Sequence, residues 1–155
     1  MNKPIKTAIC SFGMSGQIFH GPTLKVSEKF NVVQVLERTK DLSKDVFPKA
    51  DIVRSYEKIL ENSEIELVIV NTPDEFHYKM VQQALDAGKN VVVEKPVTQK
   101  SGEVEELIKL AKQKGLIHFF VRSEKFLYIS HFLLLCFRSA IELALNEVSN
   151  CFSFS

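Results

Sequence analysis

An excess of charge of one sign is the first thing this sequence lacks: 20 lysines and arginines stand against 19 aspartates and glutamates, a formal net charge of +1. Such a balance supplies neither the basic field that nucleic-acid binding needs nor an acidic tail, so a small molecule is the expected partner. Cysteine is scarce too. Cys10, Cys136 and Cys151 are odd in number and widely spaced, with neither a CxxC pair nor a Cys/His cluster of zinc spacing. No metal is expected, and the thiols read as reduced ones in a cytoplasmic protein. Residues 1–7 lack the apolar core of a secretory signal. No apolar run approaches the roughly 20 residues of a membrane span; the strongest, residues 126–137, is bounded by Arg122, Glu124 and Lys125 on one side and Arg138 on the other. Glycine and proline are missing from residues 118–155, which hold seven of the twelve phenylalanines.

What is present reads as an alternation. Apolar runs at residues 5–10, 31–36, 67–70 and 90–93 have the length of buried strands, with helical patterns between them at 16–28, 56–62 and 75–87. A short strand at 51–53 and a sixth at 116–121 complete the series. β-α-β-α order predicts an α/β fold, a doubly wound, mostly parallel sheet with helices on both faces and right-handed crossovers. Residues 101–114 place Val104, Leu107, Ile108 and Ala111 on one helical face, with Glu103, Glu105 and Glu106 early, Lys112 and Lys114 late, and Gly115 as the stop. With 155 residues, 45% of them hydrophobic, the chain has the size of one domain. The expected organisation is a folded domain over residues 1–117 and a divergent apolar tail over 118–155.

Chemistry-bearing residues gather where the strands end, and in open parallel sheets ligands bind beyond the carboxyl ends of the strands. The first strand runs into Ser11, Phe12, Gly13, Met14, Ser15 and Gly16, a G-x-G-x-x-G pattern with serine at its first position. In that pattern glycines permit the tight turn, the close approach to a pyrophosphate and the packing of helix on strand, while the helix N-terminus meets the anion. Gly13 and Gly16 keep the last two roles. The second strand ends at Glu37, close to the roughly 20-residue interval at which a carboxylate accepts hydrogen bonds from an adenosine ribose. Arg38 follows, and a guanidinium there can stack on adenine or pair with a 2′-phosphate. NAD and NADP both remain open. The fourth strand closes on Asn71, Thr72 and Pro73, with His77 in the next helical turn. The run N-V-V-V-E-K-P-V-T from Asn90 to Thr98 delivers Glu94, Lys95 and Pro96 to the mouth of the sheet.

Taken together these residues resemble the N-terminal domain of the glucose-fructose oxidoreductase / inositol dehydrogenase / rhizopine catabolism (Gfo/Idh/MocA) family. The resemblance runs from about Ile5 to Ile117. It rests on Ser11 to Gly16 continuing through Gln17, Ile18, Phe19 and His20, on Glu37 and Arg38, on Thr72, Pro73 and His77, on Ala84, Leu85, Ala87, Gly88 and Lys89, and above all on Glu94, Lys95 and Pro96. It implies a Rossmann domain that binds NAD or NADP: Gly13, Met14, Ser15 and Gly16 at the pyrophosphate, Glu37 and Arg38 at the adenosine ribose, Thr72, Pro73 and His77 along the middle of the cofactor, and Glu94 and Lys95 on the nicotinamide side, with Ser11, Phe12 and Pro96 also among the cofactor-binding residues. Lys95 is the catalytic residue the resemblance implies, an ammonium suited to managing a proton and stabilising oxygen charge. The reaction implied is hydride transfer between NAD(P) and a sugar or polyol hydroxyl.

Members of that family generally carry a second α/β domain that binds the substrate, and residues from His118 onward depart from the family pattern. The abrupt change after an intact helix is expected to be an out-of-frame tail, leaving a truncated and catalytically incomplete protein; a natural single-domain chain with a new C-terminal helix, on Ile129, Leu133, Phe137 and Ile141, is the alternative. A non-catalytic nucleotide-binding or interaction module, self-associating through the apolar tail, is the rival reading of function.

Overall fold

The computed structural model describes residues 3–100, 102–116 and 118–120. Its strands are β1 (Ile5–Ile9), β2 (Phe30–Leu36), β3 (Asp51–Val53), β4 (Leu67–Val70), β5 (Asn90–Val93) and β6 (His118–Phe120). They form one sheet in the order β3-β2-β1-β4-β5-β6, with every pairing parallel. This is the doubly wound order in which the chain reverses direction between β1 and β4, leaving a crevice beyond their carboxyl ends. The expected tail helix, including the 126–137 segment, lies outside the described residues.

A strand covered on both faces reads as an apolar run, and β4 and β5 do so: Leu67, Val68, Ile69, Val70, Val91, Val92 and Val93 are at most 1% exposed, while the polar first residue of β5, Asn90, donates its Nδ2 to the Glu66 carbonyl at 3.0 Å. Their side chains alternate between two cores. Leu67, Ile69 and Val92 join Ile9, Val35 and Leu24 on one face; Val68, Val70, Val91 and Val93 join residues of three helices on the other. Those helices are α2 (Glu57–Glu61), α3 (His77–Asp86) and α4 (Glu103–Lys114), contributing Ile59, Leu85 and Leu107. α1 (Gly21–Val26) covers the first face through Leu24. Each fully buried aliphatic side chain contributes about 1.5–3 kcal/mol, so the sheet is anchored along its whole centre.

Two helices begin differently from the expectation. The 16–28 pattern is not one regular helix: residues Gly16–His20 form a π turn before α1, closed by the Gly21 N–H bonding to the Gly16 carbonyl. Pro22 gives the physical reason, because it has no N–H to donate and its ring crowds the carbonyl four residues back. The 75–87 pattern starts with a 3₁₀ turn at Asp74–Phe76 and becomes α-helical only at His77. Helix α4 ends as expected. Gly115 sits in the left-handed region at φ 65°, its N–H and that of Leu116 bonding back to the carbonyls of Lys112 and Ala111.

Candidate functional site

The turn after β1 is built by close approach. A Cβ on Gly16 would lie 2.5 Å from the Ser11 carbonyl oxygen and 3.2 Å from the Phe12 ring, so only glycine lets the helix start this near the strand. Gly13 is the opposite case, exposed, with Ser11 Oγ at 3.6 Å the nearest atom to an added Cβ. Where the pattern usually has a first glycine, Ser11 uses its hydroxyl to accept the Gly13 N–H at 3.3 Å. Its carbonyl accepts a 2.8 Å bond from Asn71 Nδ2, tying the β1 turn to the end of β4. Sequence reasoning gave Asn71 no role, and its buried Oδ1 has no partner among the described residues. The Phe12 side chain is 3% exposed and packs edge-on against Phe47 with ring centroids 6.1 Å apart, so what Phe12 presents toward the crevice is backbone.

A cavity of about 540 Å³ opens beside this turn. Ser11, Gly13 and Met14 form one wall, Glu37, Arg38 and Lys40 another, and Thr72 and Pro73 close the third side. Three groups far apart in sequence are therefore brought to one place. The two residues after β2 behave differently within it. Glu37 is 6% exposed, and its carboxylate accepts the backbone N–H groups of Leu42 at 3.0 Å and Ser43 at 2.8 Å. Arg54 Nη1 donates to the Glu37 carbonyl at 2.8 Å and the Lys40 carbonyl at 2.7 Å, fixing the same loop from outside. Arg38, Thr39 and Lys40 are left exposed along the cavity. The 3₁₀ turn Leu42–Asp45 that Glu37 holds was not legible from hydrophobic periodicity.

Glu94, Lys95 and Pro96 do not line this cavity; they stand beyond β5, further along the same edge. Lys95 is exposed. Glu94 joins them to the first turn: its Oε1 accepts the Ser15 hydroxyl and lies 2.6 Å from Nε2 of His20, a residue 1% exposed. Burial works to raise the Glu94 carboxyl, but the His20 and Ser15 hydrogen bonds, with the nearby His20 and His77 charges, outweigh it and hold the group below the usual carboxylate range. His20 belongs to the residues that carry the family resemblance, yet nothing in its spacing from Glu94, 74 positions away, announces their contact. His77 is also 1% exposed, with Nδ1 2.7 Å from the Pro96 carbonyl and Nε2 2.7 Å from the Thr72 carbonyl. It faces backbone, not the cavity.

No group of three or more metal-ligating side chains occurs among the described residues, and no helix among them is long and apolar enough to cross a membrane. Cys10, buried at the end of β1, has its thiol pushed up by burial.

Comparison with known proteins agrees with this geometry. Residues 5–123 match the family model described as the Gfo/Idh/MocA oxidoreductase family, NAD-binding Rossmann fold. Among curated proteins, the chain is 40% identical over 114 residues to the scyllo-inositol 2-dehydrogenase (NADP(+)) IolW of Bacillus subtilis, covering 73% of this chain and 32% of that one. Among solved structures, an oxidoreductase of Bacteroides fragilis superposes with a TM-score of 0.75 at 50% identity, over 77% of this chain and 37% of that one. KijD10, a 3-ketoreductase from Actinomadura kijaniata in complex with NADP and TDP-benzene, superposes with a TM-score of 0.71 at 26% identity, over 76% and 37%. The chain thus spans about a third of the length of the curated relatives it matches.

Proposed function

The chain belongs to the Gfo/Idh/MocA oxidoreductase family with its NAD-binding Rossmann fold, and from that premise we propose that it binds NADP in the cavity beside the Gly13 turn, as the dinucleotide-binding part of an enzyme acting on a sugar or polyol hydroxyl. One observation carries the preference for the phosphorylated dinucleotide. An NAD site uses a carboxylate at the end of β2 to accept from the ribose hydroxyls, but here Glu37 spends its carboxylate on the amides of Leu42 and Ser43. Arg38 and Lys40 hold the rim of the cavity instead, and a guanidinium pairs with a phosphate through two parallel hydrogen bonds. Two similar proteins, one named for NADP(+) and one solved with NADP, support the same choice.

The residues present fit the group. Gly13 leaves open the approach that a side chain would fill, and the backbone of residues 14–16 offers amides to a pyrophosphate, the Gly13 N–H being given to the Ser11 hydroxyl. Met14 and Ser15 flank that approach, and Thr72 and Pro73 border the stretch between adenosine and nicotinamide. When bound, the nicotinamide supplies or accepts the hydride. Lys95, next to the carboxylate that Ser15 and His20 fix, stabilises the charge on the substrate oxygen and passes it a proton in the direction of ketone reduction; alcohol oxidation runs the reverse transfer. The free Cys10 thiol supports a cytoplasmic setting.

The test is a fluorescence titration of the 155-residue chain with NADPH and with NADH. NADPH is expected to bind more tightly, and Arg38→Ala to weaken it by about tenfold, the worth of one charge-assisted hydrogen bond, while NADH affinity stays within about twofold. Equal affinity for the two nucleotides, or an Arg38→Ala protein that binds NADPH unchanged, overturns the assignment of the 2′-phosphate.

A further inference from the structure

We infer that His77 is a positioning residue that donates a hydrogen bond from each ring nitrogen, holding the turn that carries Lys95 against the Thr72–Pro73 loop. This rests on the proposed roles of Lys95 and the cavity and adds to them the device that keeps the two in register.

Carbonyl oxygens accept hydrogen bonds and never donate them, and those of Pro96 and Thr72 lie 2.7 Å from Nδ1 and Nε2 respectively. A neutral imidazole carries hydrogen on one nitrogen only, so it would point a lone pair at one of these oxygens from within a site that is 1% exposed. A buried polar group left facing the wrong partner costs about 1–3 kcal/mol. Hydrogen on both nitrogens satisfies both contacts at once. It also makes the ring a cation, and a buried cation requires a counter-charge. Glu94, two residues before Pro96 in the same turn and held in place by Ser15 and His20, is the carboxylate placed for that part.

The positions of the two carbonyls give the arrangement its consequence. Thr72 follows β4 and Pro96 follows β5, neighbouring strands whose pairing stops at Val70 and Val93. Past one further ladder bond, from the Glu94 N–H to the Val70 carbonyl at 3.0 Å, the sheet no longer fixes the distance between the two loops, and His77, at the start of α3, takes over. Because Pro96 is the next residue after Lys95, anchoring its carbonyl restricts where the lysine can stand. Tyr78 and Met80 do not share this task; Tyr78 bonds Glu106 on α4, while Met80 receives the Thr72 hydroxyl on its sulfur.

Two measurements on the full chain test the positioning role. The first is a long-range ¹⁵N–¹H correlation spectrum at neutral pH, with the His77 ring assigned by its loss in His77→Gln. Both nitrogens are expected at protonated shifts; one nitrogen at the unprotonated shift overturns the proposal. The second compares NADPH with adenosine 2′,5′-bisphosphate, which carries the adenosine end and no nicotinamide. His77→Gln, which has donors on one side only, is expected to lower the ratio of NADPH to bisphosphate affinity by about tenfold, and an unchanged ratio overturns the positioning role. If the wild-type chain binds neither ligand the proposed function falls, while the nitrogen shifts still decide the state of His77. If His77→Gln does not fold, the wild-type ring is assigned by elimination among the four histidines, and its two nitrogen shifts support or overturn the proposal in the same way.

Discussion

A single carbon atom added at Gly13 and the same atom added at Gly16 have opposite expected fates. At Gly16 it would meet a backbone oxygen at 2.5 Å, which cannot move without dislodging the β1 turn. Overpacking of this kind costs about 1–3 kcal/mol, and because the obstacle is main chain we expect Gly16→Ala to lose about 2–3 kcal/mol in urea unfolding. A loss below about 0.5 kcal/mol, within the range of ordinary surface substitutions, would show that the helix is not pressed onto the strand as described. At Gly13 the added atom meets nothing closer than 3.6 Å, so its effect falls on a ligand and not on the fold. The sequence distinguished these two roles by position in the motif. It did not distinguish Glu37 from Arg38, because which of two adjacent polar side chains turns into the loop depends on the amides of Leu42 and Ser43, and a loop of that kind has no periodicity to read.

Elements meet at the carboxylate of Glu94. It closes β5, and through Ser15 and His20 it clasps the beginning of the first helix from the far side of the crevice. In the folded state the group titrates below the ordinary carboxylate value of 4.5, so its contribution is present above that pH and is lost as pH falls through the lowered value. Glu94→Gln is therefore expected to destabilise the chain by about 1–3 kcal/mol at neutral pH, as for a hydrogen bond to a charged group, with the difference from wild type shrinking under acid. Urea midpoints measured across that range check the sign; a gap that widens with acid would contradict it. The central strands were legible because β4 and β5 are buried throughout and leave short apolar runs. The π turn was not, since Pro22 interrupts a pattern whose apolar spacing continues through it. Nor was the clasp itself, which joins residues separated by the whole of the sheet's first half.

At the scale of the molecule, the parallel order of six strands creates one crevice, and the residues named from the sequence stand along its edge in the order a dinucleotide would need: Arg38 at one end, Gly13 and Thr72 in the middle, Lys95 at the other. The chain spans about a third of the length of its curated relatives, and dinucleotide binding is the part of the proposed function that its described residues carry. Gly13→Ala isolates that claim, since the added carbon clashes with nothing in the fold, its nearest neighbour being Ser11 Oγ at 3.6 Å, and obstructs only the approach of a pyrophosphate. The most direct measurement is NADPH affinity of the wild-type chain and of Gly13→Ala, with thermal unfolding of each alongside. Wild type should bind, and Gly13→Ala should bind at least about tenfold more weakly with its unfolding midpoint unchanged; equal binding by the two proteins, or none by the wild type, would contradict the account.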